Sequence, residues 1–317
     1  MRKNDNKEIV EGYIYQHSLE EKVSGPNSKT PGTSYITGTL DVAVDKSLKN
    51  IVQVHYTYVT EKTKKGTDNI TYQNLKKIIS GDKKSVINDG LDNANIVRLT
   101  PSFDLNDFWS EANNDFVSAP RNEGGFVSFV NEIRETGLRG KDKNGFDLDV
   151  LITSVNHIDA DEEKKTAERV VLRGAAFNFR NDILPLNDIL VVRDPQAMAY
   201  FEDFNISSKN PLYTKVRGQI INSVEEIEVA VESAFGEDAV DVQKKRNREW
   251  LVTWAAKNPY EYGDERVLTE ADVQKAIADR NVRLADSKKR TEEYRASQGN
   301  AVAAAPASTI QQGSFSF

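Results

Sequence analysis

Ile51-Val52-Gln53-Val54-His55-Tyr56-Thr57-Tyr58-Val59-Thr60 alternates with a period of two, placing Val52, Val54, Tyr56 and Tyr58 on one side and Gln53, His55 and Thr57 on the other. A half-buried strand needs that period and favours β-branched and aromatic residues, so the segment reads as a strand. Its aromatic side belongs in a core. Its polar side, with the lysines that follow, is the side free to meet a ligand.

Outward from this strand, Ile9 to Val23 and Ser34 to Asp45 read as two further strands, separated by the turn-rich loop SGPNSKTPGT. Gly38 interrupts the second, and an isolated strand glycine marks a bulge or sharp bend. Long bent strands in meander order suit a small closed barrel. After the Lys-rich turn EKTKKGTDN, the stretch ITYQNLKKIIS carries Tyr72, Leu75, Ile78 and Ile79 at helical spacing. NIVRLTPSF then reads as a strand and DLNDFWSEANND as a short helix capped by Asp104. GGFVSFVNEI fits either helix or strand, and TGLRGKDKNG reads as a loop or domain boundary.

A second β-rich region begins at FDLDVLITSVNHI and continues through the strands ERVVLRGAAFNF and ILPLNDILVV. Asp194-Pro195 opens a helix, PQAMAYFEDF, with Asp as cap and Pro in the first turn. KNPLYTKVRGQII reads as a strand. SVEEIEVAVESAFG is open between strand and helix, since Ser223 with Glu226 would make a capping box, and DVQKKRNREWLVTWAAKN reads as a long strand. The second half thus loosely repeats the order of the first. A helix opened by Thr269 and Asp272 follows, with an apolar stripe of only Val273, Ala276, Ile277 and Leu284, so its later turns must be solvated or paired. The expected class is α+β, mainly β: an OB-like barrel with helical insertions over 1–140, a second β-rich region over 141–265, a C-terminal helix over 266–297, and an uncharged low-complexity tail over 298–317, read as disordered.

Composition bounds the rest. The 317 residues suit about two units at roughly 100–200 residues each. There is no cysteine, which excludes disulfides, thiolate metal sites and a Cys nucleophile. No signal-like segment opens the chain, and nowhere do about 18 apolar residues run together, so a cytoplasmic protein that does not use the membrane is expected. A net charge of −7 argues against a protein coated in cations for duplex DNA, but not against a local basic groove for single strands.

Enzyme signatures are missing. The chain has no phosphate loop, dinucleotide fingerprint, His-Glu-x-x-His or nucleophile elbow, and no cofactor is implied. The histidines, His17, His55 and His157, each stand alone among strand residues. Asp147 with Asp149 and Asp159 with Asp161 could hold a hard cation as paired carboxylates, which keeps a metal-dependent nuclease as a third reading. The plainer expectation puts both pairs on wet surface.

The sharpest feature is Lys244-Lys245-Arg246-Asn247-Arg248-Glu249-Trp250-Leu251-Val252-Thr253-Trp254, where a basic run enters a strand with Trp250, Val252 and Trp254 on one face. Cations can follow a phosphate backbone while rings stack on unpaired bases; the competing reading puts both tryptophans in the core. Lys62, Lys64 and Lys65 after the opening strand, with His55 on its polar side, could join such a groove. So could Arg173 and Arg180 around Phe177 and Phe179, and Tyr213, Lys215 and Arg217, where Tyr213 and Lys215 form a polar face opposite Leu212 and Val216.

Three strands, the first two bent near a glycine, followed by a helix before the next strand, resemble the oligonucleotide/oligosaccharide-binding barrel. RNEGGFV, SAFGE, KNPYEY and the tip GSFSF make the chain similar to phage-encoded single-stranded DNA-binding proteins. The resemblance implies a non-enzymatic protein that binds single-stranded DNA with little sequence preference in phage DNA replication or recombination, alone or as a homo-oligomer. It also implies contact with replication or recombination proteins through the tail. Here the pattern departs, because the last acidic side chain is Glu293 and the tip carries only Phe315, Phe317 and the terminal carboxylate. The alternative is a virion structural or assembly protein that uses the terminal helix for subunit contacts.

Overall fold

The alternation at 51–60 forms a strand, and its neighbours wrap it into a barrel. The computed structural model describes residues 4–133, 144–161, 166–231, 235, 239–261 and 268–297, with backbone alone for 225–231, 239–246 and 296–297. β1 (Asn6–His17) leads through a short turn into β2 (Glu20–Val23), and β3 (Ser34–Ala43) and β4 (Ile51–Thr60) complete an antiparallel meander. α1 (Ile70–Ile79) follows, its first turn capped by the Asn69 side chain and its Tyr72, Leu75 and Ile78 face buried. The short α2 (Val86–Asp89) leads to β5 (Ile96–Leu99), which pairs with β1. β6 (Ser102–Ser110) and β7 (Asp115–Glu123) form a hairpin arm. The end of β7 lies parallel to β4, and the path turns at Gly124-Gly125, at φ 65° and 88°, into β8 (Val127–Val130), which pairs with β5. That turn carries the chain from the β4 edge back to the β5 edge.

The second region repeats this order. β9 (Gly145–Ile158) and β10 (Arg169–Phe177) pair antiparallel, and β11 (Ile183–Pro185) and β12 (Leu190–Val192) lie in succession along β10. α3 (Pro195–Glu202) is capped by Asp194, whose side chain accepts from the Ala197 amide. β13 (Leu212–Val231) pairs with β9, and β14 (Ala239–Ala255) pairs with β13 and lies parallel to β12. Five strands, β9-β10-β12-β14-β13, therefore close on themselves. The protein is α+β, mainly β, with OB-like barrel architecture and a C-terminal helix, α4 (Glu270–Ser297). β1 joins the two barrels: Asn6–Ile9 pair with Leu148–Gly145 of β9, while Val10–His17 serve the first barrel.

One apolar core runs through both rings, from Val10, Leu40, Val54 and Tyr56 to Phe146, Leu148, Leu190 and Trp250. Glu8 breaks its apolar character. This carboxyl is fully buried, neither oxygen has a hydrogen-bond partner, and burial drives its pKa well above the usual carboxylate range.

α4 has two kinds of partner. Val273 and Ala276 pack with Leu268, Tyr213, Phe177 and Leu151 in a second apolar cluster on the outside of the second barrel. Its later turns meet the β6–β7 arm through charge. Arg280 donates to both Asp107 oxygens at 2.8 and 3.2 Å and to Ser118 Oγ at 2.9 Å, Lys288 reaches Asp115 at 3.0 Å, and Arg295 reaches Glu111 at 2.6 Å. Spacings of eight and seven residues, about two turns each, bring these three cations onto one helix face. Trp109 lies between Arg295 and Lys288, 5.1 and 5.9 Å from its ring centre. The half of α4 that lacks an apolar stripe thus pairs within the chain.

Several expectations are corrected. DLNDFWSEANND forms no helix: Phe103 and Leu105 are buried at period two, and Trp109 lies directly across from Phe116. The Ser223–Glu226 capping box does not form, because β13 continues through SVEEIEVAV in register with β14. ILPLNDILVV is split, with Asn187 and Asp188 extruded in a tight turn at φ 44° and 60°. Tyr58 does not enter the barrel. Gly38 pairs with Tyr56 and Ile36 with Val59, so Thr57 and Tyr58 together oppose Thr37; this bulge turns Tyr58 outward, 46% exposed, against Tyr35. Gly38 is required here, since at φ 126° a Cβ would lie 2.3 Å from the Ser18 carbonyl oxygen. GGFVSFVNEI resolves as strand β8. The tail over 298–317 and most of TGLRGKDKNG lie outside the described residues.

Candidate nucleic-acid interface

On β10 the alternation Arg169, Val171, Arg173 points away from the barrel interior, while Val170 and Leu172 fill it. Beside it, β12 runs parallel to β14, with Leu190 and Trp250 inward and Val191 outward. Arg193 follows the end of β12, and Asn247, Arg248 and Glu249 line the adjoining part of β14. Together these side chains border a groove of about 520 Å³ on the outer face of β10, β12 and β14. Four guanidinium groups face two carboxylates, Asp188 and Glu249.

Each arginine is held differently. Arg173 forms a two-pronged pair with Asp188, Nη2 lying 2.9 Å from Oδ2, and this contact raises its pKa further. Arg193 Nη2 lies 2.7 Å from the buried carboxylate of Glu249. Arg248 crosses to the first barrel and donates to the Pro120 carbonyl. Arg169 donates to the Ala167 carbonyl at 3.4 Å and makes no ion pair among the described residues. Beyond Arg248, the groove approaches His55 and Arg121 on the first barrel. Partial burial lowers the His55 pKa, and the charges of Arg121 and Arg248 lower it further, so His55 stays neutral in a positive field.

Of the residues singled out from sequence, the fold brings Arg173 and Arg248 together in this groove and sets His55 within the field of Arg248. It places others apart. Lys62 pairs with Asp68 in the exposed turn that also carries Lys64 and Lys65. Arg180 stacks on Phe179, 5.0 Å from its ring centre, in the β10–β11 turn. The side chains of Lys244, Lys245 and Arg246 lie outside the described residues; their backbones pair with Glu226, Glu225 and Val224.

Three candidates are corrected by burial. Trp250 is 2% exposed, stacked on Phe146 and edge-on to Phe103, each at 5.0 Å, so its ring has no face left for a base. Tyr213 is buried, its ring against Tyr260 and Phe177 and its hydroxyl donating to Asn4. Lys215 is buried as well, its ammonium paired with Asp5 and 3.6 and 3.7 Å from Asp147 and Asp149. Burial opposes ionisation of Asp5, yet Lys215 and Lys7 together bring its pKa down to about 2. A buried cation needs such partners, and these carboxylates are therefore structural. Asp147 and Asp149 are not on wet surface: Arg217 reaches Asp147 at 3.1 Å, and the Tyr260 hydroxyl donates to Asp149 at 2.9 Å.

Trp254 does not share a face with Trp250. Val252 pairs with Gly218 and Trp254 with Arg217, so Thr253 is an extra residue on β14 that reverses the alternation. Trp254 is 43% exposed, with the Arg217 guanidinium 4.2 Å from its ring centre. Gly218 permits the close approach, since a Cβ there would lie 1.8 Å from the Leu251 carbonyl oxygen.

Sequence reading passed over Arg169, Arg193 and Arg121, although Arg169-x-Val171-x-Arg173 carries the period-two signal of a basic strand face. His157 lies among Glu202, Glu168 and Asp159 at 2.6, 3.0 and 3.5 Å, which raises its pKa, chiefly through Glu202. No group of three or more His, Cys, Asp or Glu is arranged to hold a metal among the described residues. Nor is any described helix long and apolar enough to cross a membrane.

The model of the YorF family matches residues 4–290. Two solved structures of the single-stranded DNA binding protein from Thermus aquaticus, the wild type and a deletion mutant, are similar at 10% identity, with TM-scores of 0.43 and 0.45. Each match covers 84% of this chain and 100% of the other. No curated protein matches the chain.

Proposed function

The chain belongs to the YorF family, and from the arginine-lined groove we propose that it binds single-stranded DNA, without catalysis and with little sequence preference. The carrying observation is the convergence of Arg169, Arg173, Arg193 and Arg248 on the outer face of β10, β12 and β14. β10 and β12 hold the positions of the second and third barrel strands, the face on which OB folds take oligonucleotides. Guanidinium groups recognise phosphate oxygens, which every nucleotide supplies, so such a groove attracts strands irrespective of base. Arg248, Arg121 and His55 extend this polar path onto the first barrel, and the exposed Tyr58, packed on the half-buried Tyr35, offers a ring on that barrel for stacking. The carboxylates once open to a nuclease metal, Asp147 and Asp149, are taken up by Lys215, Arg217 and Tyr260, which favours the binding reading. The likeness of RNEGGFV, SAFGE and KNPYEY to phage single-stranded DNA-binding proteins supports a role in phage DNA replication or recombination.

Titrating labelled single-stranded and duplex oligonucleotides of equal length over 50–200 mM salt tests this. Single strands should bind more tightly, with log K falling by about 0.7 per decade of salt for each phosphate engaged, or roughly 2.8 if all four arginines take part. Replacing Arg169 and Arg193 by alanine should lower that slope by about 1.4. Equal affinity for both nucleic acids, or an unchanged slope, refutes the assignment.

A further inference from the structure

We propose that Asp188 is an internal stand-in for phosphate: it occupies the fork of Arg173, must be displaced when a strand enters the groove, and thereby sets the groove's affinity. The inference rests on the strand-binding reading above and concerns how that site is regulated.

The local chain is built to present this carboxylate. Ala175 pairs with Pro185 and Leu172 with Leu190, so only Arg173 and Gly174 on β10 face the four residues Leu186–Ile189. Two residues are in excess and are extruded as a tight turn, closed by the Ile189 amide donating to the Leu186 carbonyl at 3.1 Å. The extruded pair is Asn187-Asp188, both at positive φ, a conformation that Asn and Asp adopt more readily than other residues with a Cβ. The turn is also anchored, because the Asn187 amide donates to the Ser118 carbonyl of the β6–β7 arm at 2.9 Å. Asp188 is thus delivered opposite Arg173, which it meets with both oxygens.

A carboxylate with two oxygens in one plane offers the same fork geometry and unit charge as the non-bridging oxygens of a phosphodiester. Both side chains of the pair are about half exposed, so incoming phosphate can reach it. The exchange needs no chemistry, only replacement of one anion by another on the same guanidinium. Glu249 differs, since its side chain is buried and it holds Arg193 from within the wall.

The test uses the full chain and fluorescein-labelled oligo(dT), followed by anisotropy at low salt for wild type, Asp188→Asn, Arg173→Ala and the double variant. Asparagine tolerates the turn, and Asp188→Gly, which also suits positive φ, serves as a second variant. Asp188→Asn should bind roughly two- to tenfold more tightly, and the gain should vanish when Arg173 is alanine. Arg173 should also react faster with phenylglyoxal in Asp188→Asn than in wild type, as read by mass spectrometry without nucleic acid. Unchanged affinity, or a gain that persists without Arg173 and so reflects general charge alone, overturns the role of Asp188. Failure of every protein to bind oligo(dT) is a separate outcome, which overturns the strand-binding reading and the stand-in role with it.

Discussion

Replacing Glu8 by glutamine should stabilise the protein, and increasingly so as pH rises. Glu8 sits 1% exposed on β1 beside Phe146, and neither carboxyl oxygen has a hydrogen-bond partner. Ionising it there would place an unpaired charge in an apolar core, so burial raises its pKa and the folded chain keeps it protonated. The unfolded chain releases that proton near the ordinary value of 4.5. Below that pH both states are neutral at this site and no penalty arises. Above it the unfolded state gains by ionising, so folding stability falls by up to about 1.4 kcal/mol per pH unit until the folded group also titrates. Glutamine keeps the shape and removes the titration, at the cost of an amide that also lacks partners. Urea denaturation of wild type and Glu8→Gln at pH 5, 6 and 7 should give a difference in unfolding free energy that widens with pH. Parallel stability curves would refute the argument and show that Glu8 is ionised or solvated in the fold.

Two further predictions separate structural from exposed residues. Trp250→Ala should cost about 3–5 kcal/mol in denaturant unfolding, because the ring fills core between Phe103 and Phe146, whereas Trp254→Ala should cost less than about 1 kcal/mol. Similar losses at both positions would contradict the bulge at Thr253. Arg280→Ala should destabilise by about 1.5–3 kcal/mol and speed hydrogen exchange in the β6–β7 arm, since Arg280 bonds both Asp107 and Ser118; exchange unchanged in residues 103–118 would argue against the brace.

The strand meander, the helices α1, α3 and α4 and the repetition between halves were legible because each rests on local periodicity or capping. The β6–β7 arm was not. Its Leu105, Phe108 and Trp109 spacing also fits a helix, and only pairing with β7 decides between them. The aromatic positions failed for another reason: Tyr58 lies in, and Trp254 just after, a one-residue bulge whose place is set by the partner strand, near Gly38 and Gly218. Alternation read from one strand alone cannot register that shift. The groove was half legible, since Arg173 and Arg248 could be named but Arg169 and Arg193 joined them only when β10, β12 and β14 came together. Lys215 was misread because its acidic partners Asp5 and Asp149 lie 210 and 66 positions away in the chain.

The division of β1 between the rings determines how the two barrels can be used. Tandem modules on a flexible tether must each search for a ligand, and the second gains only the effective concentration that the tether allows. Here the residues that pair within the first ring continue without a break into a ladder with β9, and Asp5, just ahead of them, neutralises Lys215 buried on the outer face of the second. Turning one barrel against the other would break this ladder and strand a buried cation. Their outer faces therefore behave as one fixed template. On the proposed reading, a strand that followed both would have to adapt its own curvature to the protein, and the alignment of the second face would already be secured once the first was occupied.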